Sequence, residues 1–143
     1  MAHPDLDRLF AMLRDASRHL LSQQREMYPI AASMSRGAEI TPVATDVGEE
    51  YPESQQVIDE LTPVLSSLAA CDETAALGMA YDVRFAMDES SPKRDAIQVD
   101  LEHASGESLS VTVPYLWSGE AIELEDPIVE ERRPQWFGTR GGE

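Results

Sequence analysis

The chain contains little cysteine, little lysine and few aromatic residues, and it has no long hydrophobic run. Its 143 residues include one cysteine, and 6% are aromatic. A single cysteine excludes an internal disulfide, which is usual for a protein of a reducing compartment. No stretch approaches the ~18 apolar residues of a membrane span, and the first five residues lack the features of a secretory signal peptide. We therefore expect a cytoplasmic protein.

Sequence motifs of common catalytic centres are also missing. The three histidines, His3, His19 and His103, match no zinc-binding spacing. Cys71, beside Asp72 and Glu73, is more typical of a structural cysteine than of a nucleophile. No glycine-rich phosphate loop follows a predicted strand, and no GxSxG motif occurs. The sequence therefore predicts no catalytic residue, no metal site and no cofactor.

The charge balance is the most unusual bulk property. Eleven basic residues stand against 27 acidic ones, which gives a formal net charge of −16. Such a surface repels phosphate backbones and anionic headgroups, so we expect neither nucleic acid nor membrane as a partner. A basic protein partner is compatible with it. Lys93 is the single lysine, and either salt adaptation or GC-rich coding would account for this preference for arginine.

The hydrophobic pattern predicts two helices and five strands. Helical periodicity covers residues 4–26 and 53–70. A hairpin is predicted over 28–34 and 39–45, with Gly37 supplying a positive φ at its turn. Strands with period-two alternation are predicted over 75–87, 95–103 and 108–117. We divide the chain into a single α+β domain, residues 1–117, and an acidic, then arginine- and aromatic-containing, extended tail, residues 118–143.

The alternating strands suggest a sheet with one apolar and one solvated face. The polar positions of two of these strands are predicted to lie on the solvated face: Asp82, Arg84, Gln98, Asp100 and Glu102. The run from Asp100 to His103 therefore favours a solvated strand over a metal site. The predicted fold class is α+β, in the order α-β-β-α-β-β-β, with a five-stranded antiparallel sheet and both helices packed mainly on its apolar face.

Two resemblances accompany this prediction. The segments Tyr28–Ala32, Tyr81–Arg84 and Asp95–Ile97 resemble a family of small uncharacterised acidic bacterial α+β proteins over roughly residues 20–116. This resemblance implies no activity. The element order is similar to that of the roadblock, longin and profilin-like folds. The roadblock fold covers both sheet faces with helices, whereas the solvated face predicted here favours two layers.

Two surfaces are candidates for binding a partner. Arg14, Arg18 and Arg25 fall within a narrow arc of the first helix, which suggests either a solvated face or a clamp for an acidic segment such as residues 120–131. In the tail, two arginines precede two aromatic residues that are costly to leave in water, and these side chains either fold back or anchor a partner. The tail candidates are Arg132, Arg133, Trp136 and Phe137.

These observations favour a non-catalytic protein-interaction domain, which we expect to be a homodimer. Its strongly acidic surface would bind a basic protein, as an immunity protein, inhibitor or chaperone does. The alternative is a small-ligand sensor with a cleft between the second helix and the sheet. Four aromatic residues are candidates to line that cleft: Tyr81, Phe85, Tyr115 and Trp117.

Overall fold

The structure, a computed structural model, describes residues 3–43, 54–86 and 88–137. It is an α+β protein with an antiparallel sheet, as predicted. Its elements are α1 (Pro4–Gln24), β1 (Ile30–Ser35), β2 (Ile40–Val43), α2 (Ser54–Ala69), β3 (Thr74–Phe85), β4 (Arg94–His103), β5 (Ser108–Ser118), β6 (Ala121–Leu124) and β7 (Ile128–Glu131). The first seven elements lie within a few residues of their predicted positions.

Helix α1 begins and ends with recognisable capping interactions. His3 occupies the N-cap, where its Nδ1 accepts the backbone N–H of Asp5 at 3.0 Å. Pro4 lacks an N–H and therefore suits the first turn. The helix ends at Arg25, whose φ of 63° is left-handed. Its buried residues recur at three- and four-residue spacing and form one stripe: Leu6, Leu9, Leu13, Ser17 and Leu21.

The sheet has seven strands rather than the five predicted. Its order is β2-β1-β3-β4-β5-β6, and β7 also pairs with β5. Residues 118–131 therefore contribute β6 and β7, which follow one another along the outer edge of β5. These two short strands were missed because four residues each, rich in glutamate, carry little period-two signal.

The turn between β1 and β2 differs from the prediction at one residue. Its positive φ falls on Ala38, at 69°, whereas Gly37 does not have a positive φ. The turn is closed by the backbone N–H of Ala38, which donates to the carbonyl of Ser35 at 2.9 Å. Gly37 therefore indicated the presence of a turn but not which of its residues has the positive φ.

The two helices pack on opposite faces of the sheet, so the prediction that both cover one face was wrong. Helix α1 shares a buried cluster with Ala80, Val99 and Leu101, whereas α2 shares another with Leu77 and Met79. The strand register explains the difference. Apolar positions of β3 pair with polar positions of β4, because Leu77 lies opposite Glu102 and Met79 lies opposite Asp100. The polar residues assigned to one face are consequently divided between two.

Small residues on β3 make room for α1. Gly78 lies under the helix, and a Cβ placed on it would approach Leu13 Cδ1 to 2.6 Å and Leu101 Cδ2 to 3.0 Å. Ala76 and Ala80 flank it on the same face and are fully buried. The small residues on this side of β3 therefore let α1 approach the strand backbone closely, and the leucines of α1 fill the space between them.

Candidate functional site

The most buried charge of the described chain holds the C-terminal segment on the sheet. Glu102 is 0% exposed. Its Oε2 accepts from Arg132 Nη1 at 2.6 Å and from the N–H of Gln135 at 2.7 Å. Its Oε1 accepts the N–H groups of Trp136 and Phe137 at 2.8 and 2.9 Å. We call residues 132–137, held on Glu102, the C-terminal clasp.

The clasp completes the core on the α2 face. Trp136 and Phe137 are 2% and 4% exposed and pack with Leu61 and Leu65 of α2 and with Leu77 of the sheet. The Arg132 guanidinium also lies 5.2 Å from the centre of the Trp136 ring. A buried carboxylate is stable only when its hydrogen-bonding capacity is met, and here four donors meet it. Three of the four predicted tail residues therefore have a structural role.

A polar network continues from the clasp across β4 and β5. Asp100 accepts from the Tyr81 hydroxyl at 2.8 Å and from Gln98 Nε2 at 3.1 Å. Thr112 Oγ1 donates to Gln98 Oε1 at 2.8 Å. Burial, together with the Asp100 carboxylate, raises the pKa of Tyr81 well above its ordinary value. Tyr81 therefore stays neutral near neutral pH and donates its hydroxyl hydrogen bond to Asp100.

The four aromatic residues predicted to line one cleft are separated by the sheet. The register places Tyr81 and Phe85 on the α2 face, with Gln98 and Arg94 opposite them. Tyr115 and Trp117 lie on the α1 face, where their rings meet edge-on at 6.2 Å. The Tyr115 hydroxyl donates to Asp82 Oδ1 at 2.8 Å. These residues are packing and network residues of two separate layers, and they do not form the predicted cleft.

The arginines predicted on α1 also have different surroundings. Arg14 pairs with Asp15 at 3.1 Å and, with the exposed Arg18, lines a groove of about 310 Å³ that the turn residues Glu125 and Asp126 also line. Arg25 lies 4.5 Å from the centre of the Trp117 ring, and its guanidinium donates to the carbonyl of Gly119 at 3.1 Å. The structure therefore brings Arg14 and Arg18 close to the segment 120–131, and Arg25 next to it.

The outer strands and their turns carry a group of exposed carboxylates. Five exposed carboxylates lie in β6, in β7 and in the turns that precede these two strands. We call them the acidic edge: Glu120, Glu123, Asp126, Glu130 and Glu131. Within residues 3–43, 54–86 and 88–137, none of these five forms an ion pair. Val129 lies among them and is 56% exposed.

Most described arginines, in contrast, are engaged within the protein. Arg94 binds Glu125 with two nitrogens, and the longer of the two contacts is 3.0 Å. Arg84 pairs with Asp95 at 3.6 Å. Arg8 donates to the carbonyl of Ala38 at 3.5 Å, and Arg36 donates to the carbonyl of Asp72. Most of the described arginines therefore stabilise internal contacts, and none of them forms an ion pair with the acidic edge.

A cluster of two histidines and an aspartate joins the start of α1 to the end of β4. His103 Nε2 lies 3.0 Å from Asp5 Oδ2, and His3 Nδ1 lies 3.6 Å from the same oxygen. The two imidazole rings stack with centroids 3.9 Å apart. His3 also donates its backbone N–H to Glu107 Oε1 at 2.9 Å. No local spacing in the sequence reveals this cluster, because His103 lies 98 residues from Asp5 along the chain.

Comparisons of the chain with protein-family models, curated proteins and solved structures gave no match. The fold and the site geometry therefore define the class, an α+β domain with helices on opposite faces of an antiparallel sheet, and function must be argued from its residues. Neither helix of the described residues has the length and apolar character that crossing a bilayer requires. Cys71 is exposed and is not a core residue.

Proposed function

We propose that the protein is a non-catalytic interaction domain that binds a basic protein partner through its acidic edge. One observation carries the proposal: five exposed carboxylates lie along the outer edge of the sheet, in β6, β7 and their turns, and none forms an ion pair within the described residues. Like charges concentrated along one edge repel one another, and a cationic ligand relieves that repulsion. Such complementarity mainly increases association rate and specificity.

The backbone of the same edge supports the proposal. Within the described residues, β6 and β7 each pair on one side only, with β5. An open strand edge is available for an extended segment of a partner, and carboxylates on it discourage pairing between like copies. The exposed Val129 offers an apolar contact within this charged surface. A cationic, extended segment is therefore the ligand that this edge fits.

Two variants with the same loss of charge test the location of binding. The edge variant combines Glu120→Gln, Glu123→Gln, Glu130→Gln and Glu131→Gln. The control variant combines Glu26→Gln, Glu60→Gln, Glu73→Gln and Glu89→Gln, which are also exposed glutamates. Both change the net charge equally, so they separate a local site from the overall field. Calorimetric titration with a synthetic nona-arginine peptide supplies the measurement.

We expect the edge variant to weaken peptide binding by at least about tenfold and the control variant by much less, since screening limits the effect of distant charges. Binding to the wild-type protein should also weaken steadily as salt increases. Equal losses of peptide affinity in both variants would mean that the acidic edge acts only through the overall negative charge of the protein and is not a binding site. Binding that is indifferent to salt would contradict the proposal outright.

A further inference from the structure

The cluster of His3, Asp5 and His103 offers the ligand types of a divalent metal site. Its three donor atoms all lie within 4.8 Å of one another. Imidazole nitrogen and carboxylate oxygen together are the donors of many zinc sites, at bond lengths of about 2.0–2.2 Å. Ligands on one tetrahedral ion at those bond lengths are separated by about 3.3–3.6 Å. The two contacts of Asp5 Oδ2, at 3.0 and 3.6 Å, bracket that separation.

The hydrogen bonds of His103 define the state of the cluster before any ion binds. The backbone N–H of Ser105 donates to His103 Nδ1 at 3.0 Å, so this nitrogen carries no proton in the neutral ring. The proton therefore lies on Nε2, which donates to Asp5 Oδ2. A divalent cation takes the position of this proton, between a ring nitrogen and a carboxylate that already face each other.

We propose that His103 Nε2, the Asp5 carboxylate and His3 bind one divalent ion of the zinc type. His103 must then carry its proton on Nδ1, where Ser105 Oγ lies 3.0 Å away and accepts it. A ligating histidine usually holds its second nitrogen in this way. Nδ1 then no longer accepts the Ser105 backbone N–H and instead donates its proton to the Ser105 hydroxyl.

The His3 ring must turn for the third bond to form. The two imidazoles are inclined by only 23°, so one ion cannot lie in the plane of both rings while they stack. The His3 side chain is 38% exposed, so part of its ring faces solvent. Rotation ends the stacking and the capping bond that the Asp5 N–H donates to His3 Nδ1. Pro4 and the backbone N–H groups that donate to the His3 carbonyl continue to support the helix start. His103 and Asp5 therefore form the fixed part of the site and His3 its mobile ligand.

The third histidine of the chain provides a matched control. His19 lies exposed on α1, away from the cluster. Titration of the tag-free full chain with Zn²⁺, in the presence of excess Mg²⁺, should show one site per chain in the wild type and in His19→Gln. Magnesium occupies oxygen-only sites on the acidic surface and competes poorly for imidazole. His103→Gln should weaken zinc binding by more than about tenfold, because even outer residues of metal sites cost that much.

Spectroscopy distinguishes ligation from a change of stability. Co²⁺ bound at this site should give visible absorption bands of a four- or five-coordinate ion with nitrogen ligands, which His103→Gln abolishes and His19→Gln retains. Nitrogen NMR of the imidazoles should show the His103 proton move from Nε2 to Nδ1 when Zn²⁺ is added. Far-ultraviolet circular dichroism checks that each variant is folded.

Three results would overturn the proposal. The first is a wild-type chain that binds no Zn²⁺ under magnesium competition. The second is a folded His103→Gln variant that binds Zn²⁺ as tightly as the wild type. The third is zinc binding that leaves the His103 tautomer unchanged. Binding of the cationic peptide at the acidic edge is a separate measurement, so neither proposal depends on the other.

Discussion

The two faces of the sheet are both covered, but by different physical means. On the α1 face, one long helix buries leucines against small and branched residues, so the contact between helix and sheet is mainly apolar. On the α2 face, a shorter helix covers only part of the sheet, and the C-terminal clasp covers polar strands through Glu102. Apolar packing tolerates some change of shape, whereas a buried carboxylate requires every donor in place. The α2 face should therefore be the more sensitive to a single polar change.

Replacing Glu102 should have the largest effect. Glu102→Ala removes the carboxylate that accepts from Arg132 and from three backbone N–H groups, of which those of Trp136 and Phe137 are buried. Removal of one partner from such a buried arrangement costs about 3–5 kcal/mol. We expect a loss of this size in the free energy of unfolding, measured by urea denaturation. Glu130→Ala, at an exposed position of β7, should change it by less than about 0.5 kcal/mol. A loss below about 1 kcal/mol for Glu102→Ala would show that the clasp is not needed.

A double-mutant cycle should show that Glu102 and Trp136 act as one unit. Trp136→Ala alone removes a large buried ring and should cost about 3 kcal/mol. Since either change releases the same segment, the second should cost less once the first has been made, with a coupling of about 0.5–3 kcal/mol. Denaturation of the two single variants and the double variant gives this energy. Simple additivity would mean that Trp136 stays docked without Glu102.

On the α1 face, Gly78→Ala tests the close approach of helix and strand. The added methyl would meet Leu13 at 2.6 Å, and overpacking of this kind costs about 1–3 kcal/mol. Gly37→Ala is the matched control, because its methyl would meet only Ser35 Oγ, at 3.7 Å. The thermal unfolding temperature should therefore fall in Gly78→Ala and stay near that of the wild type in Gly37→Ala. Equal tolerance at both positions would contradict the packing described for α1.

The smallest expected effect concerns the surface pair of Arg94 and Glu125. Hydrogen bonds from Arg94 lower the pKa of the Glu125 carboxyl. A lowered pKa means that the pair stabilises the fold at neutral pH and that this contribution is lost as the pH falls through the pKa of the folded state. Glu125→Gln should flatten the acid limb of stability against pH slightly, since surface pairs contribute little. Glu123→Gln, which removes an unpaired carboxylate, should leave that limb unchanged.

The sequence predicted the elements better than their arrangement. Periodicity located α1, α2 and the strands β1 to β5, because each burial pattern is local. Periodicity did not show which alternate residues of one strand share a sheet face with which residues of the next strand. Glu102 and Asp100 were therefore assigned to solvent. The candidate site was predicted less well. Trp136 and Phe137 were identified as costly to expose, whereas the pairing of His103 with Asp5 has no local signature.

The amino-acid sequence by itself determined composition, charge and local periodicity: an acidic α+β chain with amphipathic helices and alternating strands. Only the tertiary structure decided that α1 and α2 lie on opposite faces, that Glu102 is buried under residues 132–137, and that His3 and His103 meet. The physical reason is that period and propensity act over a few residues, whereas strand register and the burial of a charge depend on partners supplied by distant parts of the chain.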